Sequence, residues 1–292
     1  MTRPRLQLPP HGLFDWAAGE APARRKGNIE VIGVPSDFGN AYVSGARLGP
    51  AAIRASSLGL PQPAAGGIDR GDVEVFDDAD WAQIIERVRA AVVDTAEAGA
   101  LPLVLGGDHA VSYAAVAALD QAGPLDIVWF DAHTDFCPLT DTGWHNHKQV
   151  LRRIAGLGHV GRMLVIGHRG LTYFDETQQW ANLDVIGGGP LPESWLRSER
   201  PLYVSVDIDS LDPCIAPGTG HPVPGGLGLP ALCDMLRTLA RERRVMGADV
   251  MEVNPLLDHG EMTSLAAATA LAALLDGMAA RSPAAHRTFE GA

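Results

Sequence analysis

Short apolar runs alternate along this chain with amphipathic stretches. The runs at 29–34, 101–105, 125–130, 163–167, 183–186, 201–206 and 245–253 are nearly free of polar interruption, as in strands buried on both faces of a parallel sheet. A shorter strand is expected at 72–76. Within 81–98, Ile84, Ile85, Val88 and Val92 recur at helical spacing, and Gly99 marks the stop. Pro50 suits a first helical turn, which Ala51, Ala52, Ile53 and Arg54 carry on. Further helices are expected over 111–119, from about residue 148, between the strands at 163–167 and 183–186, and over 229–243. The last, 263–280, is almost wholly Ala and Leu, so it is expected to be buried or packed in a subunit contact. Strands alternating with helices predict an α/β fold, a three-layer α/β/α sandwich around one mainly parallel sheet. No repeat or linker breaks the pattern. One domain is expected over 28–292, after an extended arm at 1–27 that a neighbouring subunit could order.

Composition narrows the function. Of 292 residues, 46% are hydrophobic and 20% charged, enough for a large core. The net charge of −12 argues against nucleic acid and anionic membrane surfaces as partners and mildly favours a cationic ligand, although acidic balance also serves solubility. Cys137, Cys214 and Cys233 lack metal-type spacing and point to a reducing compartment; Cys137 either lines a site or fills a small apolar gap. The N-terminal residues carry no apolar signal core and no transmembrane stretch is evident, so a cytoplasmic location is expected. The glycine-spaced loop at 35–50 matches no phosphate-binding pattern, which sets nucleotide binding aside.

The candidate chemistry sits where strands end. The run 125–130 leads into Asp131-Ala132-His133-Thr134-Asp135, the run 101–105 into Gly106-Gly107-Asp108-His109, and the run 201–206 into Asp207-Ile208-Asp209. Open α/β sheets bind ligands at that edge. If Asp207 and Asp209 continue the strand, they point the same way, with Ile208 turned into the packing. Asp131 alone could be a helix cap in a polar loop. Taken together, the segments offer two histidines and four aspartates to one small volume, a donor set for two hard or borderline divalent ions. Without cations, four carboxylates so close would repel one another and some would take up protons.

These motifs, in this order and at these offsets, resemble the ureohydrolase superfamily of arginases and agmatinases over most of the chain, from about Ile32 to the last helix. Met251-Glu252-Val253-Asn254-Pro255 is similar to the family's substrate-guanidinium segment, and Gly33-Val34-Pro35 with 45–54 leans towards the agmatinase branch. The resemblance implies two Mn²⁺ ions, one held by His109, Asp131, Asp135 and Asp207, the other by Asp131, His133, Asp207 and Asp209. It further implies that a water shared by the ions is ionised and attacks a guanidino carbon, releasing urea and an amine. Asp135 would hydrogen-bond that nucleophile and relay its proton, and Glu252 would receive the planar cation through paired hydrogen bonds. Relatives of this kind form trimers or hexamers, so a homo-oligomer is implied.

The sequence departs from the family in places. In Gly143-Trp144-His145-Asn146-His147-Lys148, His147 aligns with the family's proton-shuttling histidine and Lys148 replaces the usual glycine, with His145 as a rival. His221 stands where relatives carry threonine, and with Trp144 could reshape the tail end of the pocket. The Asn and Ser spacing that arginases use on an amino-acid head group is missing after Asp135. Agmatine, a guanidino acid and a smaller guanidine all stay open as substrates. A formimidoyl or amide hydrolase on the same scaffold, or a non-catalytic metal-binding homologue, are the competing functions; a neutral amide would not require Glu252, and a decayed site would have lost ligands.

Overall fold

The computed structural model describes residues 6–19, 27–40, 43–75, 80–139, 145–170 and 180–281. Among them nine strands form one sheet: β1 Leu6–Gln7, β2 Ile29–Val34, β3 Gly67–Val73, β4 Leu101–Gly106, β5 Leu125–Phe130, β6 Val160–Ile166, β7 Leu183–Ile186, β8 Leu202–Asp207 and β9 Val245–Met251. Their order is β1-β3-β2-β4-β9-β8-β5-β6-β7, parallel throughout except for β1, which runs antiparallel to β3 at one edge. The helices are α1 Gly49–Ser57, α2 Trp81–Glu97, α3 Ser112–Ala117, α4 Val150–Ala155, the single turn α5 Glu193–Leu196, α6 Leu229–Glu242 and α7 Met262–Ala280.

Side-chain alternation splits the core in two. Leu103, Leu105, Val128 and Phe130 face the layer with Ile53 of α1, Trp195 of α5, Leu236 of α6 and Leu271 of α7. Val104, Ile127 and Trp129 face the layer with Val88 of α2, Val116 of α3 and Ile154 of α4. This is the expected three-layer arrangement, and a sheet covered on both faces accounts for strands without a polar side. Helix α7 is long and apolar enough to cross a membrane by length and composition alone, but it packs instead on α6 and α1 and is mostly buried.

Two expectations change. The strand expected at 72–76 is Gly67–Val73, and residues 76–79 lie outside the described set. Its polar residues hid it: Asp69 is fully buried and takes a two-pronged hydrogen bond from Arg54 of α1 (Nε 2.7 Å, Nη2 2.9 Å), and Arg54 Nη1 reaches Asp72 at 2.6 Å. Burial on this scale is tolerated because both charges are paired. Part of the segment expected to form an extended arm packs on its own chain, since Leu6–Gln7 adds β1 and Leu13 and Phe14 are buried with their N–H groups bonded to Asp69 and Ser57. The helix expected between 163–167 and 183–186 falls on 171–179, outside the described residues.

The start of α7 depends on one carboxylate. Asp258 accepts from the Thr263 and Ser264 N–H groups and the Ser264 hydroxyl, at 2.9 to 3.1 Å. Burial works against its charge, but these donors hold it below the usual aspartate range. Asp258→Ala should therefore cost about 1–2 kcal/mol of stability, read as a lower melting temperature. Because the folded-state pKa is depressed, the contribution is present above the unfolded pKa and disappears as pH falls through the folded one, so wild type and variant should converge in acid.

Candidate metal centre and substrate pocket

The strands β4, β9, β8 and β5 are consecutive in the sheet and stop at nearly the same level, with Leu105 beside Val250, Met251 beside Asp207 and Val206 beside Phe130. The residues that follow each end therefore meet: His109 after β4, Glu252 after β9, Asp209 after β8, and Asp131, His133 and Asp135 after β5. Crossings between neighbouring strands by way of helices bring together groups up to 143 residues apart, as in the hydrogen bond of 2.9 Å from His109 N–H to Glu252 Oε1. The loop after β4 runs close against Ser36, where a Cβ at Gly107 would collide with backbone. Asp209 is not on the strand as expected. β8 ends at Asp207, whose carboxylate caps a 3₁₀ turn over Ile208–Ser210 by accepting from Asp209 N–H at 2.8 Å. The turn swings the Asp209 carboxylate across to the β5 loop, where it accepts from Ala132 N–H at 3.0 Å. Glu252 likewise lies past the strand that was expected to contain it, since β9 stops at Met251.

All six predicted donors face one volume. His109 Nδ1 is 3.0 Å from Asp207, 3.5 Å from Asp131 and 3.5 Å from Asp135. His133 Nδ1 is 3.0 Å from Asp209 and 3.4 Å from Asp131. His109, Asp131 and Asp135 form one compact ligand group, and Asp131, His133 and Asp209 a second, with Asp131 common to both. Two features suit cations here. Ser205 donates its hydroxyl to Asp249 at 2.6 Å, so its oxygen is left to accept from His109 Nε2–H at 2.8 Å, which aims Nδ1 at the carboxylates. Burial opposes charge on this ring, but Asp131 and Asp207 push its pKa well above the usual histidine range, so a cation would take the place of the Nδ1 proton. Charge is also uncompensated: burial, then repulsion from neighbouring carboxylates, pushes Asp135 and Asp207 well above the usual range. Burial opposes charge on His133 too, but Asp131 and Asp209 push its pKa up to about 12. Asp131 is held low against the cost of burial by its hydrogen bonds to the two rings. A site that can settle its charge only by moving protons is one that divalent ions would neutralise. Trp129 braces it, stacked 4.1 Å from His109 with its indole N–H on Asp131 at 2.9 Å.

Asp135 (φ 49°) and Glu252 (φ 63°) both adopt the left-handed backbone region that side chains other than glycine avoid. Glu252 is 5% exposed, and burial, then the charge of Asp108, pushes its pKa up to about 8. No arginine pairs with it among the described residues; its neighbours are His109 N–H and His147, whose Nδ1 lies 3.8 Å away. Burial, then the neighbouring His221 and Lys148, pushes His147 down to about 3, which keeps the ring neutral, and its buried Nδ1 has no hydrogen-bond partner. The rival His145 packs against Trp81 and Tyr113, with ring centroids 5.5 and 5.2 Å away, and does not line the pocket.

The pocket holds about 100 Å³, and His133, Asp135, Asp207, Asp209 and Glu252 line it together with Cys137, His147, Lys148, Thr219 and His221. His221 stands edge-on to both His147 (5.1 Å) and His133 (6.3 Å). Trp144, expected to help shape the tail end, lies outside the described residues. Neither Thr219 nor Arg169 stands out along the chain. The Arg169 guanidinium donates to the carbonyls of Gly167, Asp209, Ser210, Leu211 and Val223, tying the Asp209 turn to the loop that walls the pocket. An arginine satisfied wholly by carbonyls leaves no periodicity or spacing to find.

This fold, with ligand groups that could hold metal at the carboxyl edge of its sheet, is shared by a class of hydrolases. The Arginase family's sequence profile matches residues 27–276. Proclavaminate amidinohydrolase of Streptomyces clavuligerus is 37% identical over 91% of this chain and 92% of its own length. The agmatinase of Chromobacterium violaceum is 34% identical over 82% and 80%. The solved structure of the Streptomyces clavuligerus enzyme superposes with a TM-score of 0.83 at 31% identity, covering 95% of this chain and 99% of that one. The chain belongs to the Arginase family, whose relatives here are hydrolases.

Proposed function

We propose that this protein hydrolyses a guanidino compound to urea and an amine at a binuclear Mn²⁺ centre. His109, Asp131, Asp135 and Asp207 would hold one ion and Asp131, His133, Asp207 and Asp209 the other. The observation that carries the proposal is the convergence of five of these side chains into two ligand groups sharing Asp131, with Asp207 3.0 Å from His109 beside them. When bound, the ions supply Lewis acidity, which lowers the pKa of water enough to make a nucleophile at neutral pH. Glu252 takes the guanidinium: its carboxylate lies in the pocket beside the cage, and a planar cation satisfies it with two parallel hydrogen bonds. A neutral amide would leave that buried carboxylate without a counter-charge, which disfavours an amide hydrolase.

The overall change adds one water to the guanidino carbon and breaks its bond to the alkyl nitrogen, which must leave protonated. Asp135, at the edge of the cage, is placed to take a proton from the attacking water and return it to that nitrogen. His147, neutral and with Nδ1 unpaired, is placed to exchange the proton with solvent. The three free cysteines suit a cytoplasmic protein, and we expect a trimer or hexamer. Metal analysis combined with urea release from a panel of guanidino compounds tests the assignment. About two Mn²⁺ per chain and urea from at least one compound are expected; two bound ions with urea from none would favour an amide hydrolase or a non-catalytic homologue.

A further inference from the structure

We propose that Asp249 is a positioning residue for the metal centre: through the Ser205 hydroxyl it fixes which ring nitrogen of His109 is left for an ion. The inference rests on the metal-centre assignment and deepens it. Asp249 lies within β9, is 1% exposed and does not line the pocket. Its strand neighbours Ala248 and Val250 are buried apolar residues, so packing alone would not call for a carboxylate here, where an ionised group is costly to bury. Asp249 sits beside Ser205 of β8. One carboxylate oxygen accepts from the Ser205 hydroxyl at 2.6 Å and the other from the Tyr203 hydroxyl at 2.7 Å, the short range of hydroxyl-to-carboxylate bonds. Burial pushes the Asp249 pKa up, and the charge of the nearby His109 ring and these two hydroxyls oppose the shift.

The direction of each hydrogen bond in the chain follows from the carboxylate at its end. A carboxylate only accepts, so Ser205 spends its one proton on Asp249 and can take only Nε2–H of His109, at 2.8 Å. Nδ1 is then the nitrogen that faces Asp207 at 3.0 Å and Asp131 and Asp135 at 3.5 Å, where a cation would share it. A group at 249 that donated to Ser205 would reverse the chain. The serine proton would turn to Nε2, and a neutral ring would have to carry its own proton on Nδ1, where it blocks an ion. An amide can be such a donor and a carboxylate cannot. The His133 ring, 29% exposed at its side chain, stands outside this chain of bonds, so the two ions should respond unequally.

The test measures Mn²⁺ dissociation constants by chelator competition for the whole chain, together with the melting temperature of each chelated protein. Asp249→Asn is expected to weaken one ion about ten- to a hundredfold and to leave the other within about threefold, since losing the partner of a ligating histidine costs about that much in affinity. Ser205→Ala breaks the chain without reversing it and should weaken the same ion by a smaller factor. The Asp249→Asn/Ser205→Ala double variant should bind like Ser205→Ala alone, because without the hydroxyl the asparagine has no route to the ring. Tyr203→Phe removes a bond to Asp249 but keeps the link to His109, so it should lower the melting temperature and leave both dissociation constants near those of wild type. Unchanged affinities in Asp249→Asn, or losses that simply add in the double variant, overturn the inference and leave the metal centre intact. If Asp249→Asn does not fold, equal affinities in Ser205→Ala and Tyr203→Phe overturn it instead. A wild type that binds no Mn²⁺ overturns both.

Discussion

His133→Ala or Asp209→Ala is expected to abolish urea release and to lower the melting temperature measured in Mn²⁺. The two residues hold each other at 3.0 Å; His133 also reaches Asp131 at 3.4 Å, and Asp209 accepts from the Ala132 N–H at 3.0 Å. Removing His133 deletes a neutral ligand and leaves three aspartates to repel one another. Removing Asp209 deletes a charge that the second ion would need. In either case the ion proposed for that position should be lost or bound far more weakly. An ion present at a hundred to a thousand times its dissociation constant stabilises the native state by about 3–4 kcal/mol, so a comparable amount is at stake. The thermal shift between metal-loaded and chelated wild type should therefore shrink in either variant, and metal analysis should find less than two ions per chain. Full activity in either variant would remove that residue from the ligand set.

Glu252→Gln should do the opposite: impair turnover while leaving metal content near that of wild type. Glutamine keeps a carbonyl oxygen for the His109 N–H, so the bond of 2.9 Å that clamps the β4 loop can persist. What disappears is the negative charge, and with it the buried pair to the substrate cation. Losing one partner of such a pair costs about 3–5 kcal/mol, or roughly a hundredfold to a few thousandfold in kcat/KM. Added guanidinium ion should inhibit wild type more strongly than the variant. If Glu252→Gln loses its metal instead, Glu252 is part of the ion cage and the substrate cation must be held elsewhere.

Much of this was legible from the apolar pattern. Seven runs gave strands of the central sheet because residues buried on both faces of a parallel sheet leave an uninterrupted apolar record, and the chemistry followed because polar residues at the carboxyl ends of such strands break that record abruptly. Where the pattern failed, pairing was the reason. Gly67–Val73 carries Asp69, Arg70 and Asp72, which look exposed until Arg54 is seen to neutralise two of them from a helix. The Asp209 turn was misplaced because strand alternation cannot register a cap made by the strand's own last residue.

The sequence by itself determined the alternation of helices and strands and the six candidate donors, because burial and ligand chemistry are properties of residue types in a row. Only the tertiary structure decided that β9 and β8 insert between β4 and β5, which puts Glu252 against His109. It alone separated His147 in the pocket from His145 on Trp81, since two histidines two residues apart in an irregular loop carry the same signal until the chain's path is known. It also brought Lys148, Thr219 and His221 to line the same pocket as the donors, an arrangement made by loops far apart in the chain.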